Sequence, residues 1–340
     1  MEFVENIENM EYRKNQIRIA DKRAIIRVNR LLICMLVTQI PVTLIIVRYA
    51  YLEPSRARVT AVNLILAQLT ILGPALIYLL GFRGKEKGLI PFGRMKILSI
   101  FIIIPMTILL SPLVSMISLL SMFFTENVIS QSMNELQNFS LASKLFMMAV
   151  LPGIGEELLF RGILYRAYRK KNPVKAMLVS SFLFGLFHMN LNQFLYAFVL
   201  GIVFVLVLEA TGNIVVPMIM HFVFNSIGVF ALHYANNSSE VEAAYTQSDS
   251  VVAIIQMLPI VVLASAGAYG LYHVVVKLYG TREHLSKTFS INRRDSREVA
   301  SLEETILTPK ERKWQNRIMT PCQLLFIVLC IALMMVSQFA

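Results

Sequence analysis

Charged residues are scarce in this 340-residue sequence, at 16% of the chain, whereas hydrophobic residues make up 56%. Soluble domains usually carry about 25% charged residues, so this composition excludes an ordinary soluble protein and predicts a membrane protein. Lys and Arg outnumber Asp and Glu by 32 to 21, but they form short clusters between apolar runs. We interpret this charge as setting membrane topology, and we expect no nucleic-acid partner.

Cysteines are also few. Cys34, Cys322 and Cys330 lie in or beside apolar runs without metal-type spacing, and they define no disulfide framework. Residues 1–30 are rich in both acids and bases, and they lack the apolar stretch and the small-residue cleavage site of a signal peptide. We therefore expect a cytoplasmic N-terminal segment over residues 1–30, followed by a first hydrophobic run that remains as a membrane anchor.

Long apolar runs, in contrast, recur along the whole chain. A helix needs about 20 apolar residues to cross roughly 30 Å of hydrocarbon, because all of its backbone polar groups must be satisfied within the segment. The sequence therefore predicts an all-α fold, a polytopic transmembrane helix bundle of about eight or nine helices. The nine candidate segments are Leu31–Val47, Val59–Leu80, Ile97–Phe124, Leu145–Tyr165, Val174–Met189, Phe194–Leu208, Ile214–Leu232, Val251–Tyr272 and Leu324–Phe339.

The distribution of Lys and Arg predicts the orientation of these segments. Twenty-seven of them lie in four clusters, at 13–30, 83–96, 166–175 and 277–317, and only Arg48, Arg56, Arg58 and Lys144 lie in the alternate loops. Because Lys and Arg resist translocation, we predict a multi-pass protein of the cell membrane with a cytoplasmic N-terminus and an exterior C-terminus.

This topology divides the chain into further regions after the N-terminal segment. They are N-terminal transmembrane helices (31–144), a core with intramembrane polar residues (145–232), an exterior loop with the eighth helix (233–272), a basic cytoplasmic linker (273–322) and a C-terminal transmembrane helix (323–340).

Ionisable residues at membrane depth are energetically expensive, so each of them marks a functional hypothesis. Glu157 and Arg161 are four residues apart and share a helix face, whereas Glu156 is turned about 100° away. A carboxylate neutralised by Arg is a poor base. We therefore predict Glu156 as a general base and Glu157 with Arg161 as a structural clamp. The alternative is one buried ion network without chemistry.

Two intramembrane histidines accompany these acids. His221 and Asn225 are four residues apart, so the amide is placed either to orient the imidazole or to donate to an oxyanion. Phe184 and His188 also share a face, so the aromatic ring is expected to pack beside that imidazole. A lone intramembrane His is commonly only a helix–helix hydrogen-bonding group. Two of them together with a carboxylate pair favour a functional site.

The depth of these residues predicts that they converge. At a rise of about 1.5 Å per residue, Glu156, His188 and His221 lie roughly 18, 20 and 14 Å from their helix ends, within reach of the central layer of the bilayer. The fourth, fifth and seventh segments are therefore expected to meet at one polar cavity.

Helix-breaking residues lie near the same positions. Pro152, Gly153 and Gly155 precede the glutamates, and Pro217 lies four residues before His221, where its missing N–H is expected to loosen the helix. Irregular backbone at membrane depth is tolerated where it lines protein or a wet cavity. The alternative is that these residues serve helix packing alone, since Pro and Gly are common in membrane helices.

Three motifs in this core resemble those of a known family. They are Glu156-Glu157-Leu158-Leu159-Phe160-Arg161, Phe184-Gly185-Leu186-Phe187-His188 and His221-Phe222-Val223-Phe224-Asn225. In order and in helical placement they resemble the CPBP intramembrane proteases, the group that contains the CAAX prenyl endopeptidases and the bacteriocin-processing and self-immunity proteins, also called the Abi family. The resemblance covers residues 145–232.

This resemblance implies an all-helical membrane endopeptidase in which Glu156 activates water, His188 and His221 assist, and Asn225 stabilises the oxyanion. Its partners would be the lipid bilayer and a peptide or membrane-protein substrate. The short loops resemble those of bacterial members, where a prenylated substrate is not expected.

The need for a metal stays open at this point. The sequence has no His-Glu-x-x-His helix, but His188, His221 and Glu156 from separate helices are a candidate zinc ligand set with an open position. We favour direct base catalysis without excluding zinc.

Two other functions fit the same residues. The first is a non-catalytic membrane immunity or scaffold protein that holds a peptide in the same cavity. The second is a transporter with a midplane ion site, which predicts inverted repeats that we do not find in the sequence.

Overall fold

The computed structural model describes residues 2–81, 90–125, 135–235, 247–289 and 320–339. Within these ranges the chain forms ten helices, and its only β pairing is an isolated antiparallel bridge between Phe92 and Asn213. We number the helices α1 (Glu2–Leu52), α2 (Arg56–Gly81), α3 (Ile97–Ser121), α4 (residues 141–169), α5 (Pro173–Phe187), α6 (Leu191–Thr211), α7 (Val215–Ala235), α8 (Gln247–Tyr279), α9 (Arg282–Phe289) and α10 (Pro321–Phe339).

The apolar helices confirm an all-α, multi-pass membrane bundle. Five described helices are long and apolar enough to cross a membrane, within α1, α2, α3, α6 and α8, and shorter apolar helices lie within α5, α7 and α10. Each predicted segment coincides with a helix, but some ends differ. Helix α3 ends at Ser121 rather than Phe124. Helix α6 begins at Leu191 rather than Phe194, because the Asn190 side chain caps it by accepting from the Gln193 N–H.

Some boundaries of the predicted regions fall inside helices. Helix α1 runs without a break through the predicted boundary between residues 30 and 31. The predicted basic linker begins inside α8 and continues into α9, and its residues 290–319 lie outside the described ranges. Much of the predicted exterior loop after α7, residues 236–246, also lies outside them.

Helix α4 is irregular where the sequence predicts broken backbone. It passes from α-helix (Leu141–Leu145) to π-helix (Phe146–Val150), back to α-helix (Leu151–Glu157), again to π-helix (Leu158–Tyr165), and ends as α-helix (Arg166–Arg169). π-Helical turns are rare in proteins, and those that occur are often found at functional sites. The glutamate pair lies at the junction between the second α-helical stretch and the second π-helical stretch.

Small residues allow the helices around the glutamates to approach closely. A Cβ atom on Gly153 of α4 would lie 3.4 Å from the Met218 carbonyl oxygen of α7. A Cβ atom on Gly185 of α5 would lie only 2.7 Å from the Phe194 carbonyl oxygen of α6. Close backbone approach of this kind is typical of membrane helix interfaces, where van der Waals packing drives association.

Pro217 does not loosen α7, so that expectation is wrong. The helix begins at Val215, and Pro217 therefore lies in the first turn, where a backbone N–H has no partner within the helix. The start of α7 is fixed instead by Asn213, whose Oδ1 accepts a hydrogen bond from the Val215 N–H at 2.8 Å.

The described core contains two large buried apolar clusters that share α6, and a small third cluster of Ala61, Leu136 and Met147. The first cluster joins mainly α1, α2, α4, α5 and α10, and the second joins mainly α3, α6, α7 and α8. Helix α6 contributes buried residues to both clusters, so it connects the two halves of the bundle. At its C-terminal end, buried Glu209 accepts hydrogen bonds from Arg169 at 2.5 and 2.7 Å and from the Tyr165 hydroxyl at 3.0 Å, and it lies 3.0 Å from His284 Nε2. This network connects α6 to α4 and α9.

Candidate functional site

The centre of the candidate site is a completely buried ion pair on α4. Arg161 Nη1 donates to Glu157 Oε1 at 2.7 Å, and the two side chains are 1% and 0% exposed. The guanidinium carbon lies 4.1 Å from the ring centre of Phe184 and 5.1 Å from that of Phe204. Both distances are in the range of cation–π contacts. The predicted pairing of Glu157 with Arg161 is therefore present, and aromatic faces enclose the cation.

His221 is oriented by the same carboxylate. Its Nδ1 lies 2.9 Å from Glu157 Oε1. Because an ionised carboxylate only accepts hydrogen bonds, Nδ1 is the donor, and Nε2 has a lone pair whenever the ring is neutral. Nε2 lies 3.9 Å from Glu156 Oε2, which is too far for a direct hydrogen bond. The imidazole therefore presents an acceptor nitrogen toward Glu156.

Glu156 has different surroundings from its neighbour in sequence. The residue is 7% exposed, and its Oε1 accepts a hydrogen bond from Gln68 Nε2 on α2 at 3.0 Å. Its Oε2 has no hydrogen-bond partner among the described residues. Glu156 thus faces Gln68 and His221, whereas Glu157 faces Arg161. Glu157 Oε2 is likewise buried and without a partner among the described residues, but the other oxygen of Glu157 is paired with Arg161, so Glu156 is the carboxylate suited to accept a proton.

His188 lies at the C-terminal end of α5. Its Nδ1 is 2.9 Å from the Phe184 carbonyl oxygen, so that nitrogen donates and Nε2 keeps its lone pair. The Phe184 ring lies 5.1 Å from the His188 ring and 5.8 Å from the His221 ring, in edge-on geometry. The predicted packing of Phe184 beside His188 is present, and the same ring also contacts the second imidazole. Met189, with φ of 50°, then turns the chain toward α6.

Asn225 does not orient the imidazole, contrary to the first of its two predicted roles. Its Nδ2 donates to the Met148 carbonyl oxygen at 2.9 Å. Met148 lies in the first π-helical stretch, and Pro152, four residues later, has no N–H to give to its carbonyl. The Asn225 side chain supplies a donor there from α7. The amide nitrogen carries a second N–H, which is the group that an oxyanion would use.

The candidate zinc ligands do not form a metal site in this geometry. Within the described ranges, no group of three His, Cys, Asp or Glu side chains is arranged to hold a metal ion. Nδ1 of His221 is engaged by Glu157, and Nδ1 of His188 by a backbone carbonyl, so Nε2 is the nitrogen that each ring has left for a ligand. Because His188, His221 and Glu156 do not come together as a ligand set within the described ranges, we assign no step to a metal.

Gln68 is the site residue that the motifs did not predict. It lies on α2, far from the three motifs in sequence, and its amide reaches Glu156 across a helix interface. The available signal was an amide side chain within an apolar transmembrane segment, where polar groups usually form hydrogen bonds between helices. Nothing in the sequence identified its partner.

Comparison with known proteins gives one family match for this part of the chain. Residues 138–227 match the family model described as type II CAAX prenyl endopeptidase, Rce1-like. The matched region contains all three motifs, so the resemblance to the CPBP proteases is confirmed over this part of the chain. Searches among curated proteins and among solved structures gave no significant match. Gln68 lies outside the matched residues.

Proposed function

We propose that this chain, an Rce1-like protein over residues 138–227, is an intramembrane endopeptidase that hydrolyses a peptide bond with water activated by Glu156. The observation that carries this proposal is the unengaged Oε2 of Glu156, which is buried and lies 3.9 Å from the acceptor nitrogen of His221. Glu156 is a buried base beside His221, and Glu157 orients that imidazole. This arrangement fits hydrolysis.

The reaction balances with these groups alone. The oxygen of a water molecule attacks the carbonyl carbon of the peptide bond while Glu156 accepts one of the water protons. The C–N bond of the tetrahedral intermediate then breaks, and the proton passes to the leaving nitrogen. The products are a carboxylic acid and an amine.

The remaining residues have supporting roles in this proposal. His221 and His188 each keep one lone-pair nitrogen, so either imidazole is able to carry a proton between Glu156 and the leaving nitrogen. The second N–H of Asn225 donates to the developing oxyanion. Glu157 and Arg161 hold His221 in place and do not react themselves.

The proposed substrate is a peptide or a segment of a membrane protein that enters the bundle from the bilayer. The proposed location is the cell membrane, with the N-terminus in the cytoplasm. The family description names a CAAX prenyl endopeptidase, so prenylated peptides belong among the candidate substrates, although the short loops led us to expect an unprenylated one. The match to an endopeptidase favours hydrolysis over the non-catalytic immunity or scaffold function.

The test is cleavage of quenched-fluorescent peptides by the purified protein in detergent. The library should include C-terminally prenylated peptides and apolar transmembrane peptides. We expect Glu156→Gln to lower kcat by at least 10²-fold, roughly the contribution of a general base, and His221→Ala to lower it strongly. Glu283→Gln is the matched control, because Glu283 on α9 is 80% exposed and lies outside the site.

A chelator distinguishes the two forms of the mechanism. Cleavage that survives the chelator but not Glu156→Gln supports direct base catalysis. Loss of cleavage in the chelator, restored by added zinc, would contradict the metal-free route. Full cleavage by Glu156→Gln would refute the proposal. The non-catalytic function predicts instead that the wild-type protein binds library peptides without cleaving any of them.

A further inference from the structure

Gln68 contacts the candidate base from outside the region that matches the family. Helix α2 packs against α4 at this point, since a Cβ atom on Gly155 would lie 3.7 Å from both Gln68 Oε1 and Leu72 Cβ. The Gln68 amide therefore lies beside the backbone that immediately precedes Glu156. Its Nε2 donates to Glu156 Oε1 at 3.0 Å, so it limits how the carboxylate can turn.

The contact also leaves two buried acceptors without donors. Gln68 Oε1 and Glu156 Oε2 are both inaccessible to solvent, and neither has a hydrogen-bond partner among the described residues. A buried acceptor without a donor is costly, so a pair of them indicates a ligand that donates. Water is the smallest ligand that can donate to both acceptors, because each molecule donates two hydrogen bonds. Buried waters usually have roughly two to four polar partners.

We propose that Gln68 is a positioning residue of the hydrolytic site. Its Nε2 fixes the rotamer of Glu156, and its Oε1 accepts a hydrogen bond from the water that Glu156 deprotonates. One water hydrogen points to Glu156 Oε2 and is transferred, while the other points to Gln68 Oε1 and stays on the oxygen. The lone pairs of the water oxygen then face away from Glu156 and Gln68, toward the substrate carbonyl. This assignment rests on the function proposed above.

A second glutamine, at the interface of α2 with α1, provides a matched control. Gln39 Nε2 on α1 donates to Thr70 Oγ1 on α2 at 2.7 Å, so it also connects α2 to a neighbouring helix through an amide hydrogen bond. Gln39 contacts none of the three motifs through that bond. If Gln68 were only a packing residue, Gln68→Met and Gln39→Met should have similar effects.

The experiment measures kcat and KM of both variants, on a peptide that the wild-type protein cleaves. We expect Gln68→Met to lower kcat by about 10- to 100-fold, as the loss of a hydrogen bond to a charged group predicts, with KM changed less than about twofold. Gln39→Met should leave kcat unchanged. If Gln68→Met does not fold, Gln68→Asn keeps the amide but withdraws it by one methylene group, and the same loss of kcat is expected.

The outcomes separate this inference from the proposed function. Unchanged kcat in Gln68→Met, beside a large loss in Glu156→Gln, would overturn the role of Gln68 and leave the function standing. A rise in KM at constant kcat would also overturn it, because Gln68 would then bind substrate rather than position water. Full activity of Glu156→Gln would refute the proposed function itself.

Discussion

The buried ion pair on α4 gives the sharpest test of how this site is held together. Arg161→Met removes the cation and leaves the Glu157 carboxylate uncompensated in surroundings that are 0% exposed. Breaking a buried pair by removing one partner costs about 3–5 kcal/mol of folding free energy, because the remaining charge stays desolvated. Glu157→Gln leaves the Arg161 guanidinium buried without its counterion, and it should cost a similar amount of folding free energy.

The double variant Glu157→Gln/Arg161→Met should be more stable than the sum of the two single changes predicts. Replacing a buried pair by neutral groups of similar volume is often nearly neutral, since both desolvation penalties disappear together. The assay is the free energy of unfolding, from denaturant titration in detergent followed by circular dichroism. The coupling between the two positions is the difference between the double variant and the summed single variants.

The chain offers a matched exposed pair as the control. Glu283 and Lys287 have the same four-residue spacing and the same 2.7 Å separation, but they are 80% and 77% exposed. Lys287→Met should therefore change stability by no more than about 0.5 kcal/mol. If Arg161→Met cost no more than Lys287→Met, or if the two buried substitutions were simply additive, the reasoning from burial would be refuted.

Three other substitutions test the packing around the site. Gly185→Ala places a Cβ atom 2.7 Å from the Phe194 carbonyl oxygen, so the variant should unfold at a lower temperature; an unchanged melting temperature would contradict the close approach of α5 and α6. Asn225→Leu deprives the Met148 carbonyl of its donor and should cost about 1–3 kcal/mol in the same denaturant titration, whereas no cost would mean that another group donates there. Glu209→Gln should speed hydrogen exchange in α9 roughly tenfold or more, because it weakens the contact between His284 and the Glu209 carboxylate that connects α9 to α6; unchanged exchange would show that other contacts hold α9.

The parts of the fold that the sequence predicted are those that depend on local rules. Nine of the ten described helices follow from apolar length, because a spanning segment must satisfy its own backbone polar groups inside the membrane; α9 is the exception. The contact between Glu157 and Arg161, and that between Phe184 and His188, follow from helical periodicity, which fixes which residues share a face. None of these predictions needs to know how the helices are arranged.

The parts that were missed depend on contacts between helices. Asn225 was expected beside His221, since both lie on one face of α7, yet it donates to the Met148 carbonyl of α4. Gln68 reaches Glu156 from α2, and no periodicity within either helix relates the two residues. Pro217 was misjudged because its effect depends on where α7 begins. That start is capped by Asn213, whose own side chain donates to the distant Gly93 carbonyl.

The two adjacent glutamates show why both kinds of information are needed to assign a base. The sequence alone separates them, because Arg161 shares a face with only one of them, and that is enough to predict which carboxylate is neutralised. It does not show what the other carboxylate meets. The structure surrounds Glu156 with an amide donor, an imidazole acceptor and no counterion in hydrogen-bonding contact among the described residues. Glu157 is paired with Arg161 whereas Glu156 is not, and this difference makes Glu156 rather than Glu157 the residue on which the proposed chemistry depends.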